Sequence, residues 1–316
     1  MSPDSPQPAS PAAPARTGAP LFILLNPRAG SSDKDEARDT VTALLDAAQH
    51  PYELHAPEPG EDLEQACRRV AGLAARRGGV LVPAGGDGTI NAAVNAARKQ
   101  GVTLGLLPLG TFNYLAREHG IPLELDEAVR ALMAGTPRPV AMGEVNGRLF
   151  FNNASFGLYT TLIHEREAAK ERFGRHRIVA AAALIGSLLR GQPPFEIQIV
   201  TEGTVARRRT SLVFVGANEF QLTRLGLRET AERKGDGLAV VVLKPTSLLQ
   251  RVRMMLRAAL KQLDEDGRLD AFCTREFDVH SRRARIEVIV DGEAIHLAQP
   301  LRFRTIPAAV ELIVPG

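Results

Sequence analysis

Val80-Leu81-Val82, then Gly85-Gly86-Asp87-Gly88-Thr89, then Ile90-Asn91-Ala92-Ala93-Val94-Asn95-Ala96-Ala97 decide the fold class of this chain. The first run is short and apolar, as in a buried strand, and the last has helical patterning. A glycine-rich turn with one carboxylate and one hydroxyl joins them. Such a turn aims backbone amides at an anion, and the helix dipole favours negative charge at the same place. Glycines let the backbone approach a phosphate with no Cβ in the way. The segment reads as a nucleotide-phosphate site.

Outward from it, residues 21–140 alternate strand and helix signals. Leu21–Leu25, Tyr52–Leu54, Val80–Val82 and Leu104–Leu107 read as strands. Helices are expected over Lys34–Ala48, Glu61–Arg76, Thr89–Lys99 and from about Thr111. This alternation implies a parallel sheet covered by helices, whose ligands bind outside the carboxyl ends of the strands. Asn26–Gly30, Gly85–Thr89 and Leu109–Thr111 each follow a strand, so all three loops are expected at one sheet edge. After residue 141 short β-rich runs dominate: 195–200, 211–215, 238–243, 285–290 and 301–304. They predict an antiparallel β-sandwich over 141–316, interrupted by helical segments near 160–190 and 247–262.

Composition narrows the function classes. The 316 residues fit two domains, and the net charge of +3 with no RNA- or DNA-binding motif gives no case for nucleic acid. Cys67 and Cys273 are too few and too far apart for a zinc site or a disulfide framework. Residues 1–20, rich in Pro, Ala and Ser, lack the basic start and apolar core of a signal peptide and read as a disordered tail. No run approaches the ~20 apolar residues of a bilayer span. A cytoplasmic protein with peripheral contact at the inner membrane face is expected. No pattern in the chain sets an oligomeric state.

Common phosphate fingerprints are missing. Gly105–Thr111 has the spacing of a P-loop, but no Lys precedes Thr111, and there is no G-x-S-x-G elbow. Instead, Asn26-Pro27-Arg28-Ala29-Gly30, Gly85–Thr89, Pro108-Leu109-Gly110-Thr111-Phe112-Asn113, Gly235-Asp236-Gly237 and Asp291-Gly292-Glu293 stand in one order. That series resembles the diacylglycerol kinase catalytic family, which includes bacterial soluble lipid kinases and sphingosine kinases and is distantly similar to NAD kinase. The resemblance implies an NAD kinase-like α/β domain followed by a β-sandwich, with the active site between them.

It further implies that Asn26, Pro27, Arg28, Ala29, Gly30, Gly85, Gly86, Asp87, Gly88, Thr89, Ile90, Asn91, Gly110, Thr111 and Asn113 contact ATP. An ionised Asp87 cannot donate to phosphate, so its natural role is to hold Mg²⁺, directly or through water. In Asp291-Gly292-Glu293, Glu293 is the favoured general base, with Asp291 close behind. Asp-Gly is equally a favoured hairpin pair. By the same resemblance Asp236 holds a structural magnesium, with Arg233 and Leu238 supplying backbone oxygens. The residues alone read as a turn. The family usually has Asp where this chain has Tyr114.

Arg207-Arg208-Arg209, the arginines of 164–190, and Arg251, Arg253, Arg257 and Lys261 make basic segments. They suit either an anionic membrane surface or an ordinary solvated face. The expected activity is ATP- and Mg²⁺-dependent transfer of a phosphoryl group to a lipid hydroxyl, on diacylglycerol or a sphingoid base. A NAD-type kinase and a non-catalytic nucleotide or lipid sensor are the alternatives.

Overall fold

A computed structural model describes residues 18–26, 34–158, 160, 194–201, 204–235, 237–260 and 267–316. Residues 1–17 of the expected tail, Pro27–Gly30, most of the helical segment near 160–190, Lys261 and Asp236 lie outside the described residues. The chain divides into two compact units. One runs up to Met142 and takes back Pro307–Gly316; the other is Gly143–Ile306.

In the first unit the described elements are strands β1 (Leu21–Leu25), β2 (Tyr52–His55), β3 (Val80–Gly85) and β4 (Leu107–Pro108), with helices α1 (Lys34–Ala47), α2 (Leu63–Arg77), α3 (Asp87–Gln100), α4 (Tyr114–Glu118) and α5 (Leu125–Ala134). The four strands form a parallel sheet in the order β2-β1-β3-β4. Strand order reverses beside β1, where such sheets place their ligands. Leu21, Ile23, Val80, Val82 and Leu107 pack with Val41 and Leu45 of α1 and Ala128, Val129 and Leu132 of α5.

Local chemistry explains the helix ends. Asp62 caps α2 in a capping box with Gln65, and Gly78 closes it in the left-handed region at φ 64°. The single helix expected from Thr111 is instead two, because Gly120 turns left-handed at φ 66° and Pro122 follows. The strand expected over 104–107 is broken. Leu104 makes isolated parallel bridges to Leu81 and Leu312, and regular pairing resumes at Leu107. A side chain at Gly105 would collide with Leu132 of α5, so the backbone runs close to the helix there. The chain's last strand completes this edge: the Leu104 amide donates to the Glu311 carbonyl (2.8 Å) and the Ile313 amide to the Leu104 carbonyl (2.8 Å).

The second unit is built on two antiparallel sheets. One joins β7 (Asn153–Gly157), β10 (Leu212–Gly216), β11 (Leu238–Leu243), β12 (Leu269–Thr274), β14 (Arg285–Val290) and β15 (Glu293–Ala298) in the order β12-β11-β10-β7-β14-β15. The other joins β5 (Thr136–Val145), β6 (Arg148–Phe150), β8 (Phe195–Thr201), β9 (Thr204–Thr210), β13 (Glu276–Ser281) and β16 (Leu301–Val314) in the order β6-β5-β16-β13-β8-β9, with residues 136–142 of β5 and 307–314 of β16 counted in the first unit. Their inner faces share one core, with Phe156, Val213, Val240 and Val288 from the first sheet and Phe150, Ile197, Phe277 and Phe303 from the second. That is a β-sandwich. Described helices are α6 (Glu219–Arg224), α7 (Arg228–Lys234) and α8 (Leu248–Ala259). Arg207–Arg209 prove to be strand residues of β9, an edge strand whose exposed face hides the period-2 signal.

Phe303 is fully buried and stacks on Phe277 at 4.7 Å between ring centroids. Phe303→Ala is expected to cost about 3–5 kcal/mol, read as a lower urea midpoint with an unchanged slope. Cys67 is also fully buried, and burial pushes its thiol pKa up to about 12. In the native protein a thiol reagent at neutral pH should therefore label Cys273 and spare Cys67 until denaturant is added.

Candidate active site

Three expected loop segments meet in the first unit. Asn26 lies just past β1, and its side-chain amide donates to the Thr89 hydroxyl at 2.8 Å. Gly85 ends β3, Gly86 is the N-cap of α3 in extended conformation, and Asp87 opens the helix. No side chain caps this helix, so its first-turn amides have no intrahelical acceptor and suit an anion.

Asp87 binds a neighbouring loop. Its Oδ2 accepts from the Asn113 amide (3.0 Å) and its Oδ1 from the Tyr114 amide (2.8 Å). Asn113 is held left-handed at φ 52°, with Oδ1 accepting from the Gly110 amide (3.0 Å) and Nδ2 donating to the Gly110 carbonyl (2.8 Å). Burial pushes the Asp87 pKa above the ordinary Asp value, against the pull of the Tyr114 and Asn113 amides. Tyr114 supplies its amide to Asp87, while its ring stacks on Phe112 at 5.5 Å.

The glycines have different tasks. A Cβ on Gly110 would sit 2.6 Å from the Gly86 Cα and 2.7 Å from the Asn113 Oδ1. One on Gly85 would sit 2.5 Å from the Thr89 hydroxyl. Those two positions are closed by the protein's own packing. Gly88 is exposed, and a Cβ there would meet nothing within 4 Å. Ile90 and Asn91 are buried in α3, so their side chains face protein, and Thr111 is exposed.

The second unit holds the other carboxylates. Asp291 and Gly292 turn the β14–β15 hairpin with φ of 47° and 94°, both positive as a type I′ turn requires. The Asp291 side chain accepts three backbone amides: Phe151 on Oδ2 (3.0 Å), and Asn152 (2.9 Å) and Asn153 (3.0 Å) on Oδ1. Glu293, opposite Val290, is exposed, and its Oε2 accepts from Arg148 Nη2 at 2.8 Å. Sequence reading missed Arg148 and the amides of 151–153, since nothing local marks a residue that is needed only by a hairpin about 140 positions later. Leu238 is buried at the start of β11 and Arg233 lies in α7.

Among the described residues no group of three His, Cys, Asp or Glu side chains could hold a metal ion. The Asp87 carboxylate accepts the Asn113, Tyr114 and its own backbone amides, and its roughly four lone-pair sites leave room for a further partner. That donor set fits a magnesium-bound water. A groove of about 580 Å³ lies elsewhere, on the β8, β9 and β13 strands, where Arg207, Arg209 and Arg282 are among its lining residues.

Gly110→Ala is expected to lose about 1–3 kcal/mol by forcing the two loops apart, measured by urea denaturation. For Asp87 the native pKa is raised, so the native state keeps this proton as pH climbs past 3.8. The contribution is full below that pH and is lost as pH rises through the native pKa. Asp87→Asn removes the titration, so its stability relative to the parent should rise as pH climbs above 3.8 through the native pKa, compared by denaturation midpoints.

Comparison with known proteins bears on the family and the fold. Residues 20–145 match the family described as the diacylglycerol kinase catalytic domain. A diacylglycerol kinase of Bacillus subtilis (strain 168) is 34% identical over 146 residues, 45% of this chain and 47% of that protein. A Pseudomonas aeruginosa protein named probable lipid kinase YegS-like is 41% identical over 140 residues, 43% of each chain. These matches span about half the length of either relative. A Salmonella gallinarum protein named probable lipid kinase YegS is 28% identical over 302 residues, 93% of this chain and 95% of that protein. A solved diacylglycerol kinase structure from Bacillus anthracis str. Sterne shares the fold, with a TM-score of 0.67 at 19% identity over 94% of this chain and 97% of that one. Over residues 20–145, this chain is similar to the diacylglycerol kinase catalytic domain.

Proposed function

We propose that the chain is an ATP-dependent lipid kinase: residues 21–140 take the nucleotide, and the sandwich of 141–316 takes a lipid with a free hydroxyl. The observation that carries this is the joined pair of loops at the start of α3, where Asp87 holds Gly110–Tyr114 against an uncapped helix N-terminus with Gly88 open. The names of the relatives, diacylglycerol kinase and probable lipid kinase, support the acceptor class. Diacylglycerol or a sphingoid base supplies the required hydroxyl on an apolar body.

In this reading the first-turn amides of α3 bind the phosphates. Magnesium, when bound with the nucleotide, neutralises phosphate charge. Asp87 would hold a water of that ion, and Asp236 with the backbone oxygens of Arg233 and Leu238 would hold a structural ion. Glu293 takes the proton of the lipid hydroxyl as its oxygen bonds to the γ-phosphorus, and the bond to the bridging oxygen breaks to release ADP. Arg148 orients that carboxylate. Asp291 is the weaker candidate for the base, because both of its oxygens already accept backbone amides. No helix among the described residues is long and apolar enough to cross a membrane, and in this reading the protein meets the membrane peripherally from the cytoplasm.

Labelled ATP incubated with a total lipid extract should give a labelled lipid, and incubation with NAD should give no labelled product. ATP binding without labelling of any lipid would favour the sensor. Glu293→Gln should cut turnover by about 10²–10⁴-fold at unchanged stability. Asp291→Asn should instead lower stability, since its new NH₂ cannot accept the amides of 151–153. Gly88→Ala should leave the fold as stable or more so, Ala being the better helix former by up to about 1 kcal/mol, while weakening nucleotide binding. A Gly88→Ala variant with parental ATP affinity overturns the phosphate assignment.

A further inference from the structure

The helix α8 carries its large apolar side chains on the outside. Leu248, Leu249, Val252 and Leu256, with Leu260 just beyond its end, are 56%, 79%, 38%, 63% and 68% exposed. At about 100° per residue they fall within one arc of about 120°. A helix that packs on a core turns such residues inward. Arg251 borders the arc on one side, and Arg253 and Arg257 border it on the other. From Lys244 to Gln262 the chain has no Asp or Glu. The helix start is made locally, by a capping box in which the Ser247 amide donates to Gln250 Oε1 (2.8 Å) and Ser247 Oγ accepts from the Gln250 amide (3.4 Å).

We propose that α8 is the element that docks this protein on an anionic bilayer, lying in the interface with its leucines among the acyl chains and its arginines at the headgroups. This rests on the lipid-kinase reading for its purpose, and on exposure and charge for its evidence. Twelve residues make a helix of about 18 Å, too short for the ~30 Å hydrocarbon core, so it lies in the plane of the membrane. Charge selects the occupant. A second copy seated on the same face would bring arginines against arginines, whereas a surface of acidic lipid complements them.

The test is flotation of the full chain on vesicles. Binding is expected on equal parts phosphatidylcholine and phosphatidylglycerol, weaker at high salt and weak on phosphatidylcholine alone. Leu249→Ser/Leu256→Ser should lower partitioning by about tenfold or more with an unchanged urea midpoint, because both side chains are exposed. The double variant should keep turnover on a dispersed short-chain lipid and lose it on vesicle-borne lipid. Parental flotation by the variant, or no flotation of the parent on the anionic vesicles, overturns the proposal. A parent that dimerises through this helix, with the variant monomeric and vesicle binding absent, overturns it in favour of a second copy. A parent that floats through α8 yet phosphorylates no lipid in either presentation upholds docking and sinks the kinase reading alone.

Discussion

The bond on which the candidate nucleotide site depends is the double acceptance by Asp87 of the Asn113 and Tyr114 amides. It joins the loop after β4 to the start of α3, just beyond the last β3–β4 pairing at Gly85 and Pro108 and the Leu109 amide's bond to the Gly85 carbonyl. Everything nearby is shaped to permit it. Gly110 and Gly86 approach too closely for a side chain, Asn113 adopts a left-handed backbone, and Asn26 anchors the first strand to Thr89. A buried carboxylate costs desolvation, which is why its pKa rises, and amide hydrogen bonds offset part of that cost.

The second unit uses the same device. Asp291 also comes from a glycine turn, and it gathers the amides of 151–153 while its own backbone forms the hairpin. This separates two carboxylates that look equivalent on paper. Asp291 is spent on the fold, whereas Glu293, two residues on, is exposed and held by Arg148. Asp291 and Gly292 form the hairpin turn, and Glu293 is the carboxylate of the segment that the fold leaves exposed. At Tyr114 the bond to Asp87 is made by the backbone amide, which any residue other than proline supplies.

Much of the first unit was legible because buried parallel strands and amphipathic helices write their periods plainly. Leu21–Leu25, Val80–Val82 and the helix after Gly88 are local signals. Several of the differences come from partners distant in the chain. Leu104–Leu107 looks like one strand, but α5 approaches Gly105 and the pairing breaks. Arg207–Arg209 looks like a charge cluster and is an edge strand facing water. Pro307–Gly316 lies in the first unit because Leu104 pairs with Leu312, a contact across some 200 residues.

By itself the sequence determined the alternation of strand and helix, the sandwich-like texture beyond residue 141, and the glycine turns where backbone can meet an anion. These follow from side-chain period and from the conformational freedom of glycine, both local properties. Only the tertiary structure decided what each acidic side chain does and which face of a helix meets solvent. A carboxylate's task is set by the amides brought to it across the fold. The apolar stripe of Leu248–Leu260 reads the same in sequence whether it is buried in a core or turned outward.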